Sequence, residues 1–365
     1  MAPSTGGVSE QATIRADAES VEILDQTRLP FRVELRRLES AAEVAEAIRS
    51  MRVRGAPLIG VSAAYGLWLA LRRDGSDASL ASAHAALLAA RPTAVNLRWA
   101  LDEVLACVQA LPPGARAAAA RARADALAEA DVANCRSIAE HGLALLEQAF
   151  EAGGRKGAVN VLTHCNAGWL ACIRWGTALA PIYLAQERGL PVHVWVDETR
   201  PRNQGALTAW ELGRAGVAHT VVVDSAGGHL MQRGQVDLCI VGTDRTTRRG
   251  DVCNKIGTYL KALAAREHGV PFYAASPSSS VDWTLDDGVA EIPIEQRAGE
   301  ELSHVSGWSE GHGEASVVVL PEKSAVANFA FDVTPAALVT GLVTERGVCE
   351  ASQDGLLSLF PERRA

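Results

Sequence analysis

The stretch EAGGRKGAVNVLTHCNAG, Glu151 to Gly168, changes the character of the chain. Its first seven residues are glycine-rich and charged, and read as a linker. The next run, AVNVLTH, is apolar and rich in β-formers, and it ends in His164-Cys165-Asn166. Beyond it come VHVWVDE, HTVVVD, DLCIVGTD, PFYAAS and SVVVL, separated by helical stretches. Most of these gaps hold roughly 15–25 residues, long enough for crossover helices. The runs are uniformly apolar rather than alternating, as expected when both faces of a strand are covered. The pattern predicts an α/β chain with a doubly wound parallel sheet. GxGxxG does not follow the first strand, so a dinucleotide cofactor is not indicated, and no cofactor is expected.

Before the linker the pattern differs. SVEILDQTRLP and FRVELRRLES are short runs of β-formers split by Pro30 and read as an antiparallel pair. AAEVAEAIRSMRVRGAPLIGVSAAYGLWLALRR is helical in pattern but broken at Gly55 and Pro57. From Ser79 to Phe150 the chain is mostly Ala, Leu, Arg and Glu, and its prolines divide it into three helices. The expected organisation is a disordered N-terminus over 1–15, an N-terminal β/helical domain over 16–152 and the parallel-sheet domain over 153–362.

Composition narrows the function. A net charge of -8 argues against general nucleic-acid binding. A phosphate group would have to be held locally, by placed arginines and backbone amides. The seven cysteines form no CxxC pair, so structural zinc is not expected, and they read as reduced thiols of a cytoplasmic protein. The polar start MAPSTGGVSEQATIRADAES is unlike a signal peptide, and no apolar run reaches the length of about 18 residues that suggests a membrane span.

Ligands of open parallel sheets sit beyond the C-terminal strand ends. Four ends here carry polar clusters: His164-Cys165-Asn166, Asp197-Glu198-Thr199-Arg200, Asp224 to His229, and Gly242-Thr243-Asp244-Arg245. They are expected to converge on one pocket. Each residue also has a plainer reading. Cys165 could be buried packing, and Asp244 a helix N-cap. Asp197 and Glu198 could pair with Arg200 or Arg202, and His164 and His229 could be structural. Asn254 could cap the helical run that Asn254 and Lys255 are expected to begin. VRGAPLIG (Val53–Gly60) and RPTAVNLRWA (Arg91–Ala100) could be turns, or anion sites built from an arginine and open amides at a helix start.

Taken together, VRGAPLIG, RPTAVNLRWAL, THCNAG, DETRPRNQGALTAWEL, VGTDRTTRRGDVCNKIGTY, GVPFYAASP, IPIEQR and FDVTPAALVTGLVTERG resemble the methylthioribose-1-phosphate isomerases. These enzymes are relatives of the α, β and δ regulatory subunits of initiation factor 2B. The ordered set spans nearly the whole chain. The resemblance implies a small N-terminal domain joined to a Rossmann-like domain that carries catalysis and dimerisation, hence a homodimer. It implies Cys165 and Asp244 as the catalytic pair. It implies Arg54, Gly55, Ala56, Arg91, Gln204, Asn254 and Lys255 as ligands of a small sugar phosphate. The regulatory subunits generally lack the Cys and Asp pair.

The implied reaction converts 5-methylthioribose 1-phosphate to its 2-ketose. The phosphate blocks the anomeric oxygen, so an acid, Asp244, must protonate the ring oxygen. Cys165 would move hydrogen from C2 to C1, with a direct hydride shift as the alternative. A helix starting after THCNAG would favour the thiolate. Trp169 is a candidate wall for the 5-substituent. The same chemistry on 5-deoxyribose 1-phosphate or ribose 1,5-bisphosphate, and a non-catalytic regulatory subunit, are the competing readings. The chain departs from the family pattern in having one residue fewer between Ala206 and Leu207, in Arg248-Arg249, and in Phe329.

Overall fold

The computed structural model describes residues 12–91 and 94–364. The chain opens with an antiparallel sheet of three strands, β1 (Ile14–Ala16), β2 (Val21–Leu24) and β3 (Leu35–Leu38), in that order. Val21 pairs with Leu38 and Ile14 with Ile23. The expected β2–β3 pair is present. The disordered arm expected over 1–15 is corrected at its end. Ile14 is buried in β1, and the Thr13 amide donates to the Ile173 carbonyl at 3.2 Å. Residues 1–11 lie outside the described residues.

Five helices follow: α1 (Ala41–Arg49), α2 (Ala56–Arg73), α3 (Asp77–Leu88), α4 (Val95–Val108) and α5 (Pro113–Ala152). Ser40 and Glu43 form a reciprocal capping box at the start of α1. α2 is apolar nearly all round, and it packs against α1, α3, α4 and α5 as the centre of the helical core. α5 starts with Pro113 at its first position and stops before Gly153, in the glycine-rich linker.

The large sheet then begins. Its elements are β4 (Val159–Thr163), α6 (Ala180–Glu187), β5 (Val192–Asp197), α7 (Gln204–Arg214), β6 (Ala218–Val222), α8 (Ala226–Gln232) and β7 (Leu238–Val241). Next come β8 (Arg245–Thr247), β9 (Val252–Lys255), α9 (Thr258–Glu267), β10 (Phe272–Ala275), β11 (Val281–Asp282), α10 (Gly288–Glu291) and α11 (Glu300–Ser303). The chain closes with β12 (His304–Ser309), β13 (Gly313–Val318), β14 (Phe331–Thr334), β15 (Gly341–Thr344), β16 (Gly347–Cys349) and α12 (Gln353–Leu359). The strand order is β16-β15-β10-β7-β4-β5-β6, and all pairs are parallel except β15–β16. From β4 the chain winds outward through β5 and β6, then returns to β7 on β4's other side. The switch point therefore lies between β4 and β7, where a crevice opens beyond the strand ends.

Three strand expectations need correction. SVVVL is not part of this sheet: β13 pairs with β12 in a separate hairpin whose Val317 and Val318 are exposed. The last parallel strand is β15, from TGLVTERG. An apolar run alone does not tell a covered strand from a hairpin arm. Asn254 and Lys255 do not begin a helix; they end β9, paired antiparallel with Asp332 and Phe331 of β14. β9 belongs to a second sheet, β11-β8-β9-β14, which packs beside the cleft. The edge strand β6 is not covered on both faces, since Val221 is half exposed. Among the described residues no helix is long and apolar enough to cross a membrane.

Candidate active site

A cleft lies at the switch point, where open parallel sheets bind their ligands. Its lining includes Arg54, Gly55, Ala56, Arg91, Cys165, Gln204, Asp244, Asn254 and Lys255. All nine positions picked out in the sequence thus meet on one surface. Cys165 follows β4 and Asp244 follows β7, so neighbouring strands deliver the two.

Cys165 adopts a left-handed backbone, with φ of +68°. Its amide donates to the Thr199 hydroxyl at 2.8 Å, and its carbonyl accepts from the Thr208 hydroxyl at 2.8 Å. The expected helix start is absent. Only a three-residue 3-10 turn, Trp169–Ala171, follows, and α6 begins at Ala180. The thiol is not tuned toward the thiolate overall. Burial raises its pKa, with Asp244 acting in the same direction, while the Lys255 and Arg54 charges pull it down without prevailing. Lys255 is buried with its Nζ 4.3 Å from the Phe331 ring centroid. Burial lowers its pKa, and Cys165 and Asp244 oppose that shift.

Arg54 sits just before α2. Its two terminal nitrogens donate to the Asn166 side-chain carbonyl and, at 2.6 Å, to the Asn166 backbone carbonyl. Asn166 in turn donates to Glu211 at 2.6 Å and to Thr208 at 3.1 Å. Glu211 also accepts from the Tyr183 hydroxyl at 2.7 Å, and burial raises its carboxyl to about 7 despite these donors. Three N–H groups of Arg54 remain for a ligand. Gly55 precedes α2 with φ of +92°, and a side chain there would meet the Ala171 backbone carbonyl at 2.4 Å. No side chain caps this helix, so its positive end is turned to the cleft beside Arg54.

Two lining groups carry unpaired polar atoms among the described residues. The Arg91 Nε is buried without a partner, and so is the Gln204 Oε1. A ligand with acceptors and a donor would satisfy both. Despite the residue missing between Ala206 and Leu207, α7 runs unbroken from Gln204. Arg248 and Arg249 both pair with Asp286, and Phe329 is half exposed rather than packed.

Neither the β5 end, Asp197 to Arg200, nor the β6 end lines the cleft. The Asp224 carboxylate accepts the Thr199 and Arg200 amides, each at 2.8 Å, and so shapes the loop that leads to Gln204. His164 Nε2 donates to the Ile256 carbonyl at 2.8 Å, and its Nδ1 lies 2.8 Å from an Asp197 carboxylate oxygen. Asp197 also binds the Lys261 ammonium at 3.1 Å, which takes the place a cation could hold among His164, Asp197 and Asp224. Asp131, Cys135 and Cys172 form a second group with metal-type donors, but the Asp131 oxygens already accept from the Ile173 amide and the Cys135 thiol. Trp169 is not a cleft wall: it is buried against Trp210, ring centroids 5.8 Å apart. Met51, Cys172, Thr177, Ser276, Ser280 and Phe331 line the cleft without having been singled out for it. Ser276 and Phe331 fall in quoted motifs, so only their roles were missed.

The fold and site define an α/β protein with a polar small-molecule cleft at its sheet's switch point. The sequence matches the Initiation factor 2 subunit family over residues 52–351. It is 66% identical to the methylthioribose-1-phosphate isomerase of Methylobacterium nodulans, over 95% of this chain and 94% of the relative. The 5-methylthioribose 1-phosphate isomerase of Pyrococcus horikoshii OT3 has a similar structure, with a TM-score of 0.82, 35% identity and 99% of each chain covered. A chain described as subunit delta of translation initiation factor eIF-2B from A. fulgidus gives 0.79 at 36% identity, with 96% of this chain and all of that one covered. The chain belongs to the Initiation factor 2 subunit family and, within it, to the methylthioribose-1-phosphate isomerases.

Proposed function

We propose that this protein is an aldose–ketose isomerase of methionine salvage that converts 5-methylthioribose 1-phosphate to 5-methylthioribulose 1-phosphate. The observation that carries the reading is the meeting of Cys165 and Asp244 in one cleft with the donors Arg54 and Arg91. Arg54, the start of α2 and Arg91 hold the phosphate; Gln204, Asn254 and Lys255 bind the sugar. Asp244 is the acid that brings one proton to the reaction and Cys165 is the base, whose thiolate the Lys255 and Arg54 charges favour against burial.

Asp244 gives that proton to the ring oxygen as the bond from C1 to that oxygen breaks. Cys165 then takes the C2 proton, and the freed electron pair forms a C1–C2 double bond. The enol phosphate gains a proton at C1 from the thiol, and its C2 hydroxyl loses one to Asp244. The ketose forms and the pair returns to its starting state. The chemistry needs no redox cofactor, because hydrogen moves as a proton in both directions.

Assay of a panel of 5-substituted ribose 1-phosphates tests the reading. Ketose should form fastest from the 5-methylthio compound. Preference for 5-deoxyribose 1-phosphate or ribose 1,5-bisphosphate would move the substrate, and no turnover on any would favour a regulatory subunit, as the eIF-2B likeness suggests. Cys165→Ser retaining more than about a tenth of kcat, a loss below roughly 1.4 kcal/mol, would remove the thiol from the proton path. The working form we propose is a cytoplasmic homodimer, in keeping with exposed Val221, Val223 and Leu260 on β6, its following residue and α9. Light scattering at monomer mass would refute the dimer.

A further inference from the structure

IPIEQR, Ile292 to Arg297, is a quoted motif to which the proposed reaction gives no role. Its charged residues belong to a chain of alternating sign that starts at Arg91, a residue of the cleft lining. Arg91 lies 3.4 Å from one Glu295 oxygen, and Arg297 lies 2.9 Å from the other. Arg297 binds Glu301 at 2.7 Å, and Glu301 binds Arg202 at 2.8 Å. Asn328 fixes the same segment: its amide donates to the Ala298 carbonyl at 3.0 Å and to Glu301 at 3.2 Å. Glu295, Arg297 and Glu301 are mostly buried, with side-chain exposures of 23%, 18% and 15%. Burial would raise the Glu301 carboxyl, but Arg297 and Arg202 outweigh it and hold it at about 2.

The chain of charges runs from the cleft to an adjoining pocket that shares Arg54 and Gln204 with it. At one end is Arg91, on the loop before α4. At the other is Arg202, two residues before Gln204. Five charged groups alternate from positive to positive, leaving one net positive charge for an anion. Glu295 engages only one terminal nitrogen of Arg91, and the Arg91 Nε is left buried and unpaired at the cleft. A carboxylate that served only to neutralise Arg91 would weaken an anion site. One that fixes the guanidinium plane strengthens it, because a planar fork binds phosphate only when aimed.

We propose that Glu295 is a positioning residue for the phosphate subsite, holding Arg91 with its Nε toward the ligand, and that Arg297 and Glu301 brace it against the Gln204 loop. This rests on the proposed isomerase reading only for the identity of the ligand; the phosphate subsite itself can be tested without turnover.

The test measures turnover of 5-methylthioribose 1-phosphate and, by calorimetry, binding of inorganic phosphate to the full-length protein. Glu295→Gln keeps the outline and removes the charge. It should raise both KM and the phosphate Kd about tenfold, with kcat within about twofold of the starting protein. Glu295→Asp should restore part of the loss. In an Arg91→Ala background Glu295→Gln should have no further effect on either constant. Unchanged or tighter phosphate binding in Glu295→Gln would overturn the proposal. So would an equal loss with and without Arg91, which is what a merely structural role produces. If no sugar phosphate turns over while phosphate binding still depends on Arg91 and Glu295 together, the isomerase reading falls and the positioning role stands.

Discussion

Asn166 accepts both terminal nitrogens of Arg54, one on its side chain and one on its backbone carbonyl. The residue that aims the arginine is thus the immediate neighbour of the thiol, Cys165. The Arg54 guanidinium and the Cys165 thiol are positioned by adjacent residues. Asn166→Ala should raise KM about tenfold, through loss of aim. It should also cost about 1–3 kcal/mol of stability, because Glu211 loses a donor in a buried network. Steady-state kinetics and urea unfolding check both; a stability loss with unchanged KM would mean that Arg54 is aimed by something else.

Cys165 should react as a thiol of raised pKa. Its alkylation by iodoacetamide, followed by peptide mass spectrometry, should still be accelerating above about pH 9. Lys255→Gln removes a cation that pulls the pKa down, so the rise should move to higher pH. Asp244→Asn removes a charge that pushes it up, so the rise should move lower. A plateau below pH 8 in the starting protein would show that the thiolate is already formed at rest.

Stability should fall as pH rises from 5 to 8. Burial raises the Asp131 carboxyl to about 7, and only the Ile173 amide opposes it. A carboxyl whose pKa is higher folded than unfolded contributes most when protonated in both states, and that contribution is lost as pH climbs through the folded value. Glu211, also raised to about 7, acts in the same direction. Asp131→Asn stays neutral throughout, so it should flatten the fall and equal or exceed the parent in Tm at pH 8. An unchanged slope would mean that Asp131 is ionised at pH 5.

Gly55→Ala should cost roughly 2–4 kcal/mol and raise KM, because the positive φ and the 2.4 Å approach to Ala171 act together. Gly154→Ala is the control: its φ is +72°, with open space around it. That change should cost only about 1–2 kcal/mol. Equal losses in urea unfolding would show that the Ala171 contact yields freely.

How far the sequence could be read depended on the kind of signal. The parallel sheet was legible because β4, β5, β7 and β10 are apolar runs separated by helices. The nine site positions came from the family resemblance, since residue types at strand ends left a plain reading open for each. What failed was local. Asn254 and Lys255 looked like a helix start because the helical pattern of α9 begins so soon after them. Their strand is dictated by β14, 75 or more residues away. SVVVL looked like a core strand because apolar content says nothing about what covers it. The Asn166–Glu211–Tyr183 network was invisible, since those residues lie on three elements and carry no spacing signal.

Cys165 holds a left-handed backbone that an L-residue adopts at a cost of about 1–2 kcal/mol. Met51 in the cleft lining, and Thr199 and Asn203 on the segment that leads into α7, do likewise. Glycine in place of Cys165 would relax that conformation, and it would also remove the sulfur. Under the proposed reaction, then, the sulfur and the backbone that carries it make opposite demands on position 165.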